Sequence, residues 1–390
     1  MKILFVADGR SQIALNWIRY FADHGHEVHL TSIYPCQPDL DLTSLTVISA
    51  AFSRTVEQGS TGARGKGSLL RKLATPRMRT WLRHQFVPRS LPNAALNLQP
   101  LITNIQPNLI HAMRIPYEGM LAALALSLAP IAPLLISVWG NDFTLHAPAT
   151  RQLKKLTRTA VERTDALHTD CHRDLRLACE WGFAKEKPTI VLPGAGGIQA
   201  DIFFSHDEPR QPVVINPRGL RAYVRNDTFF KAVPQVLARQ PQTRFLCPAM
   251  QNQPEAEEWA SRLGVGESLE LQPLLTRSQM AETFRQSQIV LSITTHDGTP
   301  NTLLEALACG CFPIVGDIES LREWISPGVN GLLVDPADPK ALADAILVAL
   351  GDPGLRASAR EHNLRLIAER ANYRKVMGEA ERFYSQICAI

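Results

Sequence analysis

Two carboxylates eight residues apart, Asp297 and Glu305, flank the segment Gly298-Thr299-Pro300-Asn301-Thr302. Thr299 suits an N-cap, Pro300 the first helical position and Gly310 a C-terminal stop, so these residues predict a short helix from about 300 to 309. The open N–H groups and positive dipole end of such a helix suit a phosphate or the hydroxyls of a polar ligand. Glu305 leans back toward that end and Asp297 stands just ahead of it, so both carboxylates flank one ligand position. Each has a blander reading: an Asx-turn cap for Asp297, and a solvated helical charge for Glu305, which its apolar flanks Leu303, Leu304 and Leu307 disfavour. Upstream, Arg218, Arg221 and Arg225 gather three guanidinium groups suited to bidentate phosphate contacts, or form a solvated basic loop.

These residues need elements to hold them. Apolar runs alternate with helical patterns: KILFVA (2–7), HEVHLTS (26–32), LTVISA (45–50), LIHAM (109–113), LLISVW (134–139) and ALHTD (166–170). A second series follows: VVINP (213–217), RFLCPA (244–249), LELQPL (269–274), IVLSITT (289–295), FPIVG (312–316) and GLLV (331–334). Near-continuous apolar strands alternating with helices predict two doubly wound α/β domains with parallel sheets, joined around 193–211, where Gly, Pro and charge concentrate. Ligands in such sheets sit outside the carboxyl ends of the strands. The residues expected there are Asp8-Gly9-Arg10, His111 to Arg114, Gly140-Asn141-Asp142 and Asp170-Cys171-His172, then Arg218 to Arg221 and His296 to Thr299, with a cleft between the two domains.

A length of 390 residues predicts two or three domains, and 45% hydrophobic with 20% charged residues excludes collagen-like, coiled-coil and wholly disordered chains. A net charge of +4 is too small for a chain built chiefly to neutralise nucleic-acid phosphates. Seven scattered cysteines without a C-x-x-C suggest neither a disulfide framework nor a four-ligand zinc site, and fit a reducing cytoplasm. Met120 to Trp139 is free of charge and long enough for a membrane span, but Pro130 and Pro133 divide it into a helix and a buried strand. The start, MKILFVADGR, reads as a first strand rather than a signal peptide.

With its D-x7-E spacing, HDGTPNTLLEALACGCFPIV resembles the E-x7-E signature of retaining glycosyltransferase family 4, of GT-B fold. PGVNGLLVDPADPKALADAI (327–346), GHEVHLTS near the start and LPGAGGIQADIF at the linker extend the likeness over nearly the whole chain. The resemblance implies two Rossmann-like domains: an acceptor-binding domain over 1–195, a nucleotide-sugar donor domain over 212–365, and a C-terminal helix within 366–390 crossing back to the first. It assigns Glu305 to the donor ribose, Asp297 to the donor sugar, and Gly298, Thr299, Pro300, Asn301 and Thr302 to donor contacts, chiefly through backbone amides.

Departures from the family pattern are specific. An Asp at 297 replaces the usual Glu and shortens the reach by one methylene, and misplacement by ~1 Å can cost about a hundredfold in rate. Either the loop sits closer or the donor sugar differs. The family places an Arg and a Lys against the donor diphosphate; anchoring DTFFKA (227–232) puts Gly219 and Val224 at those positions. Arg218 and Arg225 beside them are chosen as the catalytic pair, with Arg221 in reserve. In the first domain His111 survives from the family's histidine pair as a catalytic candidate, with Met113 in the second place, and WGND carries Trp139 where a His is usual. Trp139 and Asp142 then stack on or orient a sugar, or else pack the sheet edge. Gly9 is left to approach a donor phosphate, with Arg10 and Ser11 near the acceptor.

His24, His26 and His29 imitate a metal cluster, but a strand from Glu27 points alternate residues to opposite faces, so no metal is expected. Cys309 and Cys311 read as small apolar groups. Residues 54–89 hold nine Lys/Arg against the single acid Glu57, a face suited to an anionic membrane or a phosphorylated acceptor, or simply a solvated basic surface without a partner. The reading is a metal-independent retaining glycosyltransferase with no cofactor beyond its nucleoside diphosphate sugar. It moves the sugar to the hydroxyl of a sugar or lipid-linked acceptor in polysaccharide or glycolipid synthesis, in the cytoplasm or peripherally at the inner face of the membrane. The alternatives are a nucleotide-sugar epimerase of the same fold and a non-catalytic GT-B partner protein.

Overall fold

The computed structural model describes residues 1–49, 76–128, 131–208 and 210–389. The basic run from Arg54 to Lys72 lies outside the described residues. The chain divides into two compact units, Met1–Gly196 with Lys375–Ile390, and Gly197–Arg374.

In the first unit, β1 (Lys2–Ala7), β2 (Glu27–Ser32), β3 (Ser44–Val47), β4 (Leu109–Met113), β5 (Leu134–Val138), β6 (Ala166–Thr169) and β7 (Thr189–Val191) form a parallel sheet in the order β3-β2-β1-β4-β5-β6-β7. β4 and β5 are buried at every position, which is why they read as continuous apolar runs. β7, a three-residue edge strand that is exposed or half-buried along its length, carries no such signal and is absent from the sequence-based set. The charge-free stretch from Met120 folds as the helix Met120–Leu128 followed by β5, and none of the described helices is long and apolar enough to cross a membrane.

In the second unit, β8 (Val213–Ile215), β9 (Arg244–Cys247), β10 (Leu269–Leu271), β11 (Ile289–Ser292), β12 (Phe312–Gly316) and β13 (Leu332–Val334) form a parallel sheet in the order β10-β9-β8-β11-β12-β13. Its order reverses between β8 and β11, the place where open α/β sheets take their ligands. The corresponding reversal in the first sheet lies between β1 and β4.

The predicted helix after β11 spans Asn301–Ala308. Contrary to expectation, Pro300 rather than Thr299 holds the cap position, and no side chain caps the helix. Gly310 ends it as expected: its φ is +81°, and Cys311 N–H reaches back to Ala306 O at 2.9 Å. The last helix, Tyr373–Cys388, joins the first unit from Lys375 onward.

Candidate functional site

The ends of β8 and β11 bring together two of the sequence candidates. Arg218 follows β8, Asp297 follows β11, and Arg218 Nη2 meets Asp297 Oδ2 at 2.8 Å with both side chains largely buried. Burial opposes the Arg218 charge, but Asp297 and the Tyr223 hydroxyl outweigh it and raise the guanidinium pKa. The Asp297 loop is anchored from the next strand connection: Ser320 Oγ donates to Asp297 O at 2.6 Å, and Trp324 Nε1 donates to Thr299 Oγ1 at 2.9 Å. Thr299 is therefore an anchor for the loop, not a helix cap.

Beside this pair, the helix Asn301–Ala308 starts without a side-chain cap. Pro300 O takes the amides of Leu303 and Leu304, at 3.0 and 3.2 Å, while those of Asn301 and Thr302 lie at the positions that have no acceptor within a helix. Thr302 Oγ1 is buried with no hydrogen-bond partner. Glu305 projects from the same helix, and burial, opposed by Arg277, pushes its carboxyl up to about 7. This group of amides, an orphaned hydroxyl and a desolvated carboxyl is suited to receive a polar ligand.

The three arginines have different partners. Arg225 opens the helix Asn226–Leu237 and grips Asp227 through Nε and Nη2, both at 2.9 Å, so its charge is already matched. Arg221 instead turns toward Arg218, its Nε donating to Arg218 O at 3.0 Å. Gly219, at φ +61°, permits this turn, and Val224 pairs its backbone with Thr294.

In the first unit the structure corrects several expected placements. His111 lies inside β4, fully buried, rather than beyond its end. It belongs to a buried line of hydrogen bonds: Trp17 Nε1 donates to Tyr384 Oη at 2.9 Å, Tyr384 meets His111 Nδ1, His111 Nε2 meets Ser137 Oγ at 2.7 Å, Ser137 Oγ meets His168 Nδ1 at 2.8 Å, and His168 Nε2 meets Leu192 O at 2.9 Å. Because the Trp nitrogen can only donate and the carbonyl can only accept, one proton arrangement satisfies every member, with both histidines neutral and protonated at Nε2. Burial, reinforced by the other ring, holds His111 well below the usual histidine range, and burial takes His168 to about 4. His111 thus ties the last helix to the sheet.

Gly9 packs against Ser32 and Cys36. Its N–H donates to Ser32 Oγ at 3.1 Å, and a Cβ there would lie 2.3 Å from Cys36 Sγ, so close packing explains the glycine. Arg10 is bidentate on Asp8, at 2.9 Å through each nitrogen, and its guanidinium lies 3.7 Å from the Tyr34 ring centre. Ser11 caps the helix Gln12–Asp23. Asp142, expected to orient a sugar, is fully buried: it pairs with Arg114 at 2.6 Å and accepts from the amides of Ile115 and Trp139, both at 3.1 Å. Trp139 is half-buried under the Arg114 guanidinium, 5.3 Å away, and its Nε1 has no partner.

Sequence reasoning missed Tyr223, Ser320, Trp324 and Glu118. Glu118 follows β4 and is almost wholly enclosed; burial, opposed by Arg114, brings its carboxyl to about 7. Tyr223 was marked by its position between the arginines; the other three carry no local signal.

The three expected non-ligand histidines serve separate neighbours: His24 stacks on Tyr20, His26 meets Glu381 at 2.9 Å, and His29 meets Ser44 at 2.7 Å. Among the described residues Asp170, Cys171 and Asp174 are the one cluster with metal-ligand chemistry, and Arg173 already neutralises Asp174 at 2.7 Å.

Two parallel α/β sheets with these strand orders define the GT-B fold class. The family descriptions "Glycosyl transferases group 1" and "Glycosyl transferase 4-like" match residues 212–352 and 2–170, and the chain belongs to this group of glycosyltransferases. Similar curated proteins include a D-inositol 3-phosphate glycosyltransferase of Xylanimonas cellulosilytica, 32% identical over 26% of this chain and 25% of that protein. Another, of Kribbella flavida, is 30% identical over 50% of each. The match thus spans about a quarter to a half of these relatives' length. Among solved structures, sucrose-phosphate synthase from Thermosynechococcus elongatus aligns over 100% of both chains at TM-score 0.76 and 15% identity. HepE of Anabaena, solved with UDP-glucose, aligns over 100% of both at TM-score 0.71 and 14% identity.

Proposed function

We propose that the chain transfers a sugar from a nucleoside diphosphate sugar to an acceptor hydroxyl with retention of anomeric configuration. The observation that carries this reading is the uncapped helix Asn301–Ala308 set beside the buried Arg218–Asp297 pair where the second sheet reverses. Family membership supports it. The amides of Asn301 and Thr302, with Arg218 and Arg221, take the diphosphate; Glu305 takes the ribose; Asp297, held in place by Arg218, takes the sugar. Charge developing on the leaving diphosphate is stabilised by these prepositioned donors, and a diphosphate oxygen accepts the acceptor's proton. The HepE complex makes UDP-glucose the first donor to try, and the named activity of the curated relatives makes an inositol phosphate the first acceptor.

The acceptor side of the proposal includes an anionic membrane surface, as for a lipid-linked acceptor. The helix Pro76–Ile105, which contains the described part of the basic segment, has no acidic residue; it exposes Arg83, Arg89 and Phe86, and Trp81 is 58% exposed. This combination of cationic and aromatic side chains suits an interface with anionic lipid. Sedimentation with anionic but not zwitterionic vesicles supports this part, and equal recovery from both counts against it.

Thermal stabilisation by UDP-, GDP- and ADP-sugars tests the donor reading, since a ligand that binds the native state raises its melting temperature. One donor series stabilising the wild type but not Glu305→Ala supports it. No stabilisation at millimolar donor removes that support and favours a non-catalytic GT-B protein.

A further inference from the structure

Tyr223 sits among the arginines without belonging to any motif position. Its phenol oxygen receives Arg221 Nη1 at 3.2 Å and, over a longer 3.4 Å, Arg218 Nη2, and the Arg218 guanidinium lies 5.8 Å from its ring centre. The loop that carries it is fastened to the end of β11. Thr295 N donates to Tyr223 O at 3.0 Å, Val224 pairs with Thr294, and Arg225 N donates to Ile293 O at 2.9 Å. Tyr223 is thereby held close to Asp297, two residues beyond Thr295.

A phenol oxygen accepts in two directions and donates one proton. Here the two arginines use the accepting directions, so the O–H is left to donate, and no acceptor for it occurs among the described residues. The charges point the same way. Asp297 offsets one of the two cations Arg218 and Arg221, while Arg225 is already matched by Asp227. Three donor groups with an excess positive charge complement an oxyanion better than a neutral hydroxyl.

We propose that Tyr223 is a ligand of the donor diphosphate, donating its hydroxyl proton to a phosphate oxygen while the same oxygen holds Arg218 and Arg221 at the spacing of a clamp. This rests on the nucleotide-sugar reading above. In this chain the tyrosine and Arg221 together do the work of the second cation, which Val224 cannot supply.

The test is calorimetric titration of wild type and Tyr223→Phe with the nucleoside diphosphate that stabilises the wild type, and with the corresponding nucleoside. The expected result is a loss of about tenfold or more in diphosphate affinity, unchanged nucleoside affinity and an unchanged melting temperature. Equal diphosphate affinity in the two proteins overturns the proposal, as does an equal loss for diphosphate and nucleoside, which marks a general disturbance of the site. Absence of diphosphate binding by the wild type overturns the donor reading itself and this proposal with it.

Discussion

Replacing Tyr384 by Phe tests the buried hydrogen-bond line that ties the last helix to the first sheet. The change keeps the ring and its stack on Phe21, whose centre lies 4.4 Å away, and removes a single oxygen. Trp17 Nε1–H then loses its acceptor and His111 Nδ1 its donor, at residues 1% and 0% exposed, where water cannot substitute. At about 1–3 kcal/mol for each orphaned buried group, the first unit loses about 2–4 kcal/mol, taking the lower half of the range because both groups are neutral. For a unit of roughly two hundred residues this is a fall of about 4–16 °C in melting temperature, measured calorimetrically. The line also has a pH signature. His168 is neutral in the fold and its pKa falls from 6.5 to about 4 through burial. Its contribution is therefore complete above pH 6.5 and is lost as pH falls from 6.5 toward 4, amounting to about 3 kcal/mol. An NMR titration of the histidine rings reads this directly. A Tyr384→Phe protein within about 0.5 kcal/mol of the wild type, or a His168 that titrates near 6.5, refutes the reasoning.

The opposite sign is expected at Glu118, whose carboxyl rises from 4.5 to about 7 on burial. Its stabilising contribution is complete below pH 4.5 and is lost as pH rises through 7, so Glu118→Gln gains on the wild type by about 3 kcal/mol between pH 4.5 and 8.5. Urea denaturation at the two pH values checks this, and a constant difference between the proteins counts against it. At Gly310, φ is +81° and a Cβ would lie 2.5 Å from Ser205 Oγ. Gly310→Ala is expected to destabilise the second unit by about 2 kcal/mol or more, seen as an earlier thermal transition; a change under about 0.5 kcal/mol contradicts it.

Much of the fold was legible because its signals are local. A buried parallel strand must be apolar at nearly every position, so runs such as LIHAM and FPIVG located β4 and β12 to the residue. The three-residue β7 was illegible for the same reason, since an edge strand buries too little to need such a run. At the site, the helix after β11, its Gly310 stop and the spacing of Asp297 and Glu305 follow from neighbouring residues. The cap does not: Thr299 is drawn away by Trp324, a partner 25 residues distant.

The sequence by itself determined which chemical groups stand at the strand ends and the helix start, because turn, cap and strand rules act over a few residues. Tertiary structure decided which of those groups meet. Strand order places the end of β8 beside that of β11, and so pairs Arg218 with Asp297, while Arg225 pairs with Asp227 and Arg221 with the Tyr223 hydroxyl. Folding the last helix onto the first unit encloses His111 against Tyr384, 273 residues away. Burial and pairing depend on what arrives from elsewhere in the chain, and that dependence is absent from the spacing of residues along it.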